Sequence, residues 1–522
     1  MFLIQSVIRA AQINSTGAAT VYGNRRRNWG EFKDRISRLA AALLAIGIKK
    51  GDRVCMLSPN SDRYLEYYYG VPWAGGVIVP LNNRWSLNEL GYAIEDSGAT
   101  VLLVDESFID MATKLVANLP ELKQVVILSE SEPGDQFKKG QHCYERLLAT
   151  ATPVSPVSRS PTDLYGIFYT GGTTGKPKGV MLSTIGLWAN AMYIVAALGY
   201  KPGCSMLHAG PLFHMATGSS VFAITNAAAT HIIIETFNTR RVLEAVSSER
   251  ITHLVLVPTM LKLLLEDPEF YQFDLSSLEK ITYGAAPISE SLVNQLGERL
   301  PQVKLFQAFG QTEMSPIISF QQSECNDPAH PLFSKRNSVG QAANSTELGI
   351  VDTEGSFVSA GESGEIIARG PGVMLGYWNK EDQTKATLVD GWVKTGDAGY
   401  LDEDGYLYLQ DRVKDMIISG GENVYSIEVE NAVLKHADVT ACAVIGVPDD
   451  KWGERVHAVI ELAGERQVAV EELREHCRQY IAGYKCPVSV EIVDALPLSP
   501  AGKILKTELR KPHWEDNSLR KN

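Results

Sequence analysis

No stretch of this chain stays apolar for the roughly 18 residues that a membrane-spanning helix needs, so no integral membrane segment is expected. The opening Met1-Phe2-Leu3-Ile4-Gln5 has neither a basic leader nor a cleavage site, and a signal peptide is not expected either. None of the seven cysteines, Cys55, Cys143, Cys204, Cys325, Cys442, Cys477 and Cys486, stands in CxxC spacing. Their odd number and dispersion argue against a disulfide framework or a zinc site and for reduced thiols in a cytoplasmic protein. Positive charge is also short: 49 Lys and Arg stand against 61 Asp and Glu, for a net charge of −12. No long basic stripe with interleaved aromatics offsets this, which excludes nucleic acid as a partner. The compact run Arg25-Arg26-Arg27 is expected to be a solvated turn rather than a phosphate or membrane contact.

What is present is an ordinary globular composition, 45% hydrophobic and 21% charged, over 522 residues. At about 100 to 200 residues per domain, that length calls for several domains. Residues 31–46 place Phe32, Ile36, Leu39, Ala40, Leu43 and Ile46 at helical spacing, and Gly47 offers a stop before a strand at 54–57. Apolar runs at 77–81, 100–104, 125–128, 164–169, 232–234, 253–257 and 304–309 alternate with helical patterns such as 289–300. Buried strands separated by helices imply mostly parallel sheets covered on both faces. Residues 149–162, rich in Ser, Thr and Pro, read as a linker. After residue 340 the pattern changes to short strands and tight turns, and Asp402-Glu403-Asp404-Gly405 suits a hairpin turn. Beyond Arg412, helices near 427–434 and 470–481 and strands at 443–445 and 456–462 are enough for a small α+β domain. Domains of 1–411 and 412–522 are therefore expected, with the boundary at Asp411 to Lys414.

The densest chemical signal is Tyr169-Thr170-Gly171-Gly172-Thr173-Thr174-Gly175-Lys176-Pro177-Lys178-Gly179, an exposed turn after an apolar run. Glycines let backbone N–H groups approach an anion closely, threonines add short donors, and lysines supply neutralising charge. A P-loop would need a glycine where Thr170 stands and a Ser or Thr where Pro177 stands. Proline removes a backbone donor and the metal-binding hydroxyl together, which excludes an ordinary P-loop kinase or GTPase. A solvated turn without a ligand is the bland alternative, and partner motifs decide between the two.

Four further clusters carry such chemistry: Gln307-Ala308-Phe309-Gly310-Gln311-Thr312-Glu313 after a strand, Thr395-Gly396-Asp397 at an expected turn, Asp411-Arg412-Val413-Lys414-Asp415 at the expected boundary, and Ser499-Pro500-Ala501-Gly502-Lys503-Ile504-Leu505-Lys506 near the C-terminus. Taken singly, Phe309 would be core, Thr312 a helix cap, Asp397 a turn residue and Lys503 one solvated lysine among many. In this order, and over nearly the whole chain, they resemble the adenylate-forming superfamily of acyl-CoA synthetases, aryl-CoA ligases, luciferases and nonribosomal adenylation domains. The resemblance implies an α/β multidomain fold: a large N-terminal domain of two α/β subdomains plus a β-barrel, and a small mobile α+β C-terminal domain.

The resemblance also implies roles. Thr170, Gly171, Gly172, Thr173, Thr174, Gly175, Lys176 and Lys178 would grip the ATP phosphates and guide pyrophosphate away, although many relatives have Ser where Gly171 stands. Gly284, Ala285 and Ala286 resemble the segment beside adenine and the acyl group, with Gln307 and Gly310 also at the nucleotide. Phe309 would stack on adenine where relatives usually have Tyr. Thr312 would bond the α-phosphate, and Glu313, a hard oxygen donor, would hold Mg²⁺. Asp397 would accept hydrogen bonds from the ribose, assisted by Arg412. Lys503 is the implied catalytic residue and Lys414 the implied hinge, while Gly420, Gly421 and Glu422 match a loop at the CoA side. His214 would be an acyl-pocket or thiol-path residue. Amino-acid-activating relatives carry Asp at its position, so the acid is expected to lack an α-amino group.

The implied reaction converts a carboxylic acid, ATP and CoA into acyl-CoA, AMP and pyrophosphate through an acyl-adenylate. Small and aromatic residues at His214, Met215, Thr217, Gly218, Tyr283 and Gly284 are expected to wall the acyl pocket and suit a medium or long fatty acid. An aryl acid of the 4-coumarate or benzoate kind, a cyclic acid, or delivery to a carrier-protein thiol are the alternatives. The sequence leaves the oligomeric state open, with a homodimer as one option.

Overall fold

The structure, a computed structural model, describes residues 2–129, 140–170, 176–286, 288–412, 415–419, 422–449, 451–464, 467–498 and 504–514. Its first long helix, Trp29–Ala45, starts at a capping box. The Asn28 side chain accepts from the Glu31 amide at 2.8 Å, and Glu31 accepts from the Asn28 amide at 2.9 Å. A cap of this kind is worth about 1 kcal/mol. Phe32, Ile36, Leu39, Ala40 and Leu43 are buried as their spacing predicts, whereas Ile46 serves as the C-cap before Gly47. The helix packs on Asp62–Trp73, all of which is buried. Gly70 allows the approach, because a Cβ there would lie 2.5 Å from the Leu39 side chain.

The chain divides into two compact units. The first comprises Met1–Arg336, Gly340–Leu348 and Ala368–Val393. It holds two large sheets. One runs, in spatial order, Gln341–Ala342, Ile317–Gln321, Lys304–Gly310, Lys280–Gly284, His253–Leu256, Ser205–His208, Thr230–Ile233, Ala18–Tyr22 and Arg25–Asn28. The other runs Gly376–Tyr377, Lys178–Ser183, Leu164–Thr170, Val77–Pro80, Arg53–Leu57, Val101–Val104, Gln124–Ile127 and Gln141–Cys143. In both, the central neighbours pair in parallel and antiparallel strands finish an edge. Apolar runs separated by helices therefore became parallel strands buried on both faces, as their composition requires.

The second unit comprises Asn337–Val339, Gly349–Ile367 and Lys394–Asn522. Strands Trp392–Leu401 and Leu407–Arg412 form the hairpin expected around Asp402 to Gly405, with Leu401 opposite Leu407. The C-terminal part holds a five-stranded sheet in the order Glu422–Val424, Ile417–Ser419, Gly453–Leu462 and Val439–Asp449, with Ser489–Ile492 also pairing Gly453–Leu462. Helices Ser426–Val433 and Val470–Cys477 pack on it around Val429, Val444, Ala458 and Leu473. The molecule is thus α/β, a large N-terminal domain with a smaller C-terminal one.

Two local expectations are corrected and a third is sharpened. Arg25-Arg26-Arg27 is no solvated turn but part of an edge strand: Arg25 holds Asp62 at 2.6 Å and Arg26 holds Glu249 at 2.6 Å. The stretch read as a linker is without regular structure from 151 to 160, yet it is fastened. Val154 accepts from Trp73 Nε1 at 2.8 Å, and buried Arg159 donates to the Gly76 carbonyl at 2.9 Å. Thr395-Gly396-Asp397 lies inside a strand rather than at a turn, with Gly396 at φ +69°. All seven cysteines are buried free thiols. Among the described residues, no helix is long and apolar enough to cross a membrane.

Candidate active site

Strands Lys280–Gly284 and Lys304–Gly310 are parallel neighbours, with Gly284 opposite Ala308, so their carboxyl ends open on the same edge. Open α/β sheets bind ligands at that edge, where backbone groups emerge unpaired and side chains from several strands converge. Gly284, Ala285, Ala286, Gln307, Phe309 and Gly310 all sit there, each partly exposed. Close backbone packing requires the two glycines. A Cβ on Gly284 would lie 2.1 Å from the Ala308 carbonyl oxygen, and one on Gly310 would lie 1.9 Å from that of Pro316. Phe309 leans on a small core that includes Met314, Ile318 and Ala368. Thr312 and Glu313 open the short 3-10 turn that follows, Thr312 nearly buried and Glu313 partly exposed.

The glycine and threonine loop joins Leu164–Thr170 to Lys178–Ser183, antiparallel strands with Thr170 opposite Lys178. Its Gly171 to Gly175 lie outside the described residues. Lys178 places its ammonium 5.0 Å from the centre of the Tyr377 ring, and the Tyr377 hydroxyl donates to Glu313 Oε1 at 2.7 Å. The motif lysine and the candidate metal carboxylate are thus brought together through one tyrosine. Burial, and next the charge of Glu313, push the Tyr377 hydroxyl pKa well up, so it stays a proton donor to that carboxylate. Backbone bonds fix the arrangement: Met374 N donates to the Glu313 carbonyl at 2.8 Å and Trp378 N to the Gly179 carbonyl at 2.8 Å. Lys176 lies with its ammonium 4.8 Å from the Tyr92 ring centre. The Tyr377 hydroxyl engages only one of the two Glu313 carboxylate oxygens. One hard oxygen donor suits Mg²⁺, which takes few protein ligands and completes its shell with phosphate and water.

Tyr377 was missed by sequence reasoning. Its partner Glu313 is 64 positions away, and Gly376-Tyr377-Trp378 carries no local signal that points to it. His214 is placed by a different element. It caps the buried helix Met215–Asn226, its Nδ1 accepting from the Ala216 amide at 3.2 Å. Of the expected pocket wall, Met215 is buried in a core cluster with Tyr68 and Phe222, and Tyr283 in another with Ile281 and Leu305. Gly218 is backed by the Tyr68 hydroxyl, 2.5 Å from where a Cβ would sit.

In the second unit, Asp397 and Arg412 are directly opposite on adjacent strands. The Asp397 amide donates to Thr395 Oγ1 at 3.1 Å, and that hydroxyl donates to the Ile366 carbonyl at 2.6 Å. Lys503, Lys414, Gly420 and Gly421 lie outside the described residues. Leu498 and Ile504, which flank the Lys503 segment, form an antiparallel bridge. Lys506, the other lysine of that motif, is already held by Glu430 at 2.7 Å. Glu422 opens the strand Glu422–Val424, opposite Ser419.

Residues 9–378 match the AMP-binding enzyme family, and residues 428–503 match the AMP-binding enzyme C-terminal domain. The chain belongs to the AMP-binding enzyme family. It is an enzyme of the adenylate-forming superfamily, of the AMP-forming acid–CoA ligase class. A feruloyl-CoA synthase of Amycolatopsis sp is 36% identical, over 97% of each chain. The fatty acid–[acyl-carrier-protein] ligase ScoC of Streptomyces coeruleorubidus is 33% identical, over 100% of this chain and 98% of its own. Among solved structures, the amide bond synthetase McbA of Marinactinospora thermotolerans superposes with a TM-score of 0.87 at 30% identity, over 98% of this chain and 99% of its own. Family membership thus extends over both units, while the acids and acceptors named for these relatives differ.

Proposed function

We propose that this AMP-binding enzyme joins a medium- or long-chain fatty acid to CoA by way of an acyl-adenylate. The observation that carries the reading is the Lys178–Tyr377–Glu313 cluster. It sets a phosphate-loop lysine and a metal-competent carboxylate in one place, in the unit that also presents the carboxyl ends of two parallel strands. A carboxylate is a poor electrophile, because its charge repels nucleophiles and its leaving group would be oxide. Attack of its oxygen on the α-phosphorus of ATP solves this by forming a mixed anhydride and releasing pyrophosphate. The CoA thiol then attacks the acyl carbon, and AMP leaves with the bonding electrons.

The first step brings anions together, so positive groups must face the developing charge. Lys176, Lys178 and the loop amides would hold the β- and γ-phosphates, Thr312 the α-phosphate and Asp397 the ribose, with Arg412 beside it. Glu313 would hold Mg²⁺, which when bound neutralises phosphate charge. Lys503 would neutralise the reacting phosphate. A rotation at Lys414, with Gly420 to Glu422 moving to the thiol side, would separate the two half-reactions. His214 in place of an acidic residue supports an acid without an α-amino group. The name of the feruloyl-CoA synthase favours an aryl acid as the second reading, and that of ScoC keeps a carrier-protein thiol in view as acceptor. Buried cysteines, none of them in a disulfide, support a cytoplasmic setting.

The test is Lys503→Ala, assayed in each half-reaction with a panel of fatty and aryl acids. Pyrophosphate exchange is expected to fall by several orders of magnitude, while thioester formation from supplied acyl-adenylate survives. Survival of both half-reactions would remove Lys503 from the mechanism. A preference for aryl acids, or for a carrier thiol over CoA, would replace the first reading with the second.

A further inference from the structure

A cluster in the second unit is not used by this mechanism. His457 lies on strand Gly453–Leu462 directly opposite Ser489, and Glu491 follows two positions later on the same strand, Ser489–Ile492, so that Ser489 and Glu491 share one face of the sheet with His457. Helix Lys506–Trp514 covers that face: Leu509 packs with Val459, and Trp514 Nε1 donates to the Gly446 carbonyl at 3.0 Å. It delivers His513 to the other two. His457 Nε2 is 3.6 Å from Glu491 Oε2, and His513 Nε2 is 4.0 Å from the same oxygen. All three ligand atoms lie within 4.8 Å of one another.

We propose that His457, Glu491 and His513 form a binding site for a first-row divalent cation of the zinc class. Two imidazoles and a carboxylate are a zinc donor set with one position left for water. Bonds of about 2.1 Å in a tetrahedron put ligand atoms about 3.4 Å apart. The distances found need only small rotations of Glu491 and His513, both more exposed than His457. The independent pointer is His457 itself. Its side chain is 7% exposed, and its Nε2 is buried with no hydrogen-bond partner among the described residues. Leaving such an atom unsatisfied is unfavourable, and a ligand at Nε2 removes that penalty. The ring is also held in the orientation a metal needs. Nδ1 is 2.7 Å from the Ser489 hydroxyl, and an Nδ1–H donated there leaves the Nε2 lone pair facing Glu491. A cation at this place ties the C-terminal helix to two strands of the sheet.

The probes are ZnCl₂ and CoCl₂ added to the untagged, EDTA-stripped full-length chain, followed by titration calorimetry, thermal melting and visible absorption. One equivalent of Zn²⁺ is expected to bind through this cluster and raise the melting temperature, with Co²⁺ giving a ligand-field band in the visible. Glu491→Gln and His513→Gln change exposed or partly exposed positions. In EDTA they should melt like the parent, and each should weaken Zn²⁺ binding by at least about 100-fold. Ser489→Ala, a positioning change, should weaken it by about 10- to 100-fold, with rescue by Ser489→Thr. Absence of Zn²⁺ binding, or binding that persists unchanged in Glu491→Gln and His513→Gln, overturns the proposal.

Discussion

Acidification should destabilise the large unit through two histidines that the proposed chemistry leaves unused. His208 and His231 are fully buried on neighbouring parallel strands, their rings stacked, with His208 Nε2 2.9 Å from His231 Nδ1. Thr225 Oγ1 lies 3.1 Å from His231 Nε2, and the edge of the Trp29 ring closes the site. Desolvation lowers His208 from 6.5 to about 3, and desolvation with the charge of its neighbour lowers His231 well below 6.5. Both rings are neutral when folded, and each gains a proton on unfolding once the pH drops below its unfolded value. The stability they leave intact is therefore present above 6.5 and is lost as pH falls from there towards 3. Between about pH 7.5 and pH 5 the unfolded imidazole gains about 1.5 units of protonation free energy, or about 2 kcal/mol for His208, with His231 adding in the same direction. A folded value of about 3 keeps His208 neutral across that window, so the whole difference comes from the unfolded ring. Urea unfolding at a series of pH values measures it. His208→Gln should flatten the pH dependence by about 2 kcal/mol over that window, whatever it does to stability at neutral pH. Parallel curves for the parent and His208→Gln would refute the assignment.

Two further outcomes follow from the site. Tyr377→Phe keeps the buried ring but deletes the hydroxyl that orients Glu313 at 2.7 Å. The Mg²⁺ concentration for half-maximal pyrophosphate exchange should rise by about 10- to 100-fold, the usual effect of losing a group that orients a metal ligand. An unchanged Mg²⁺ dependence would dissociate this tyrosine from the proposed metal carboxylate. Gly310→Ala drives a methyl group to within 1.9 Å of the Pro316 carbonyl oxygen and 2.9 Å of the Ile318 nitrogen, backbone atoms that cannot rotate away. It should cost about 1–3 kcal/mol of stability and weaken ATP binding, because the strand end must move. Gly297→Ala is the control: the site is helical with nothing within 4 Å, and it should gain up to about 1 kcal/mol. Equal stability and equal ATP affinity for Gly310→Ala and the parent would show that the strand end tolerates the methyl group.

What could be read from the sequence was what depends on near neighbours. Val101–Val104 and His253–Leu256 announce themselves because a strand buried on both faces needs consecutive apolar residues. Asp402 to Gly405 carry the hairpin turn in their own identities, whereas Asp397, expected at a turn, lies inside the strand before it, opposite Arg412. Arg25 failed for the opposite reason. Its charge looked solvated until a helix 37 positions later supplied Asp62, and no local pattern encodes that meeting.

The same division explains why the candidate site was only half legible. Glycines, hydroxyls and lysines at Thr170 to Lys178 carry their chemistry in their identity, so the loop suggested a phosphate, and the partner motifs decided against a bare solvated turn. The geometry that makes Glu313 useful depends on Tyr377, which reaches it only because Gly376–Tyr377 adds to the edge of the sheet beside Lys178–Ser183. With Gly376 opposite Met181 and Tyr377 opposite Val180, that pairing puts the ring under the Lys178 ammonium and its hydroxyl on the Glu313 carboxylate. A shift of one residue would turn the tyrosine to the other face of the sheet and leave lysine and carboxylate unconnected. The strand register at the sheet edge, more than the loop motif, therefore sets how the proposed phosphate-binding and metal-binding groups are held together.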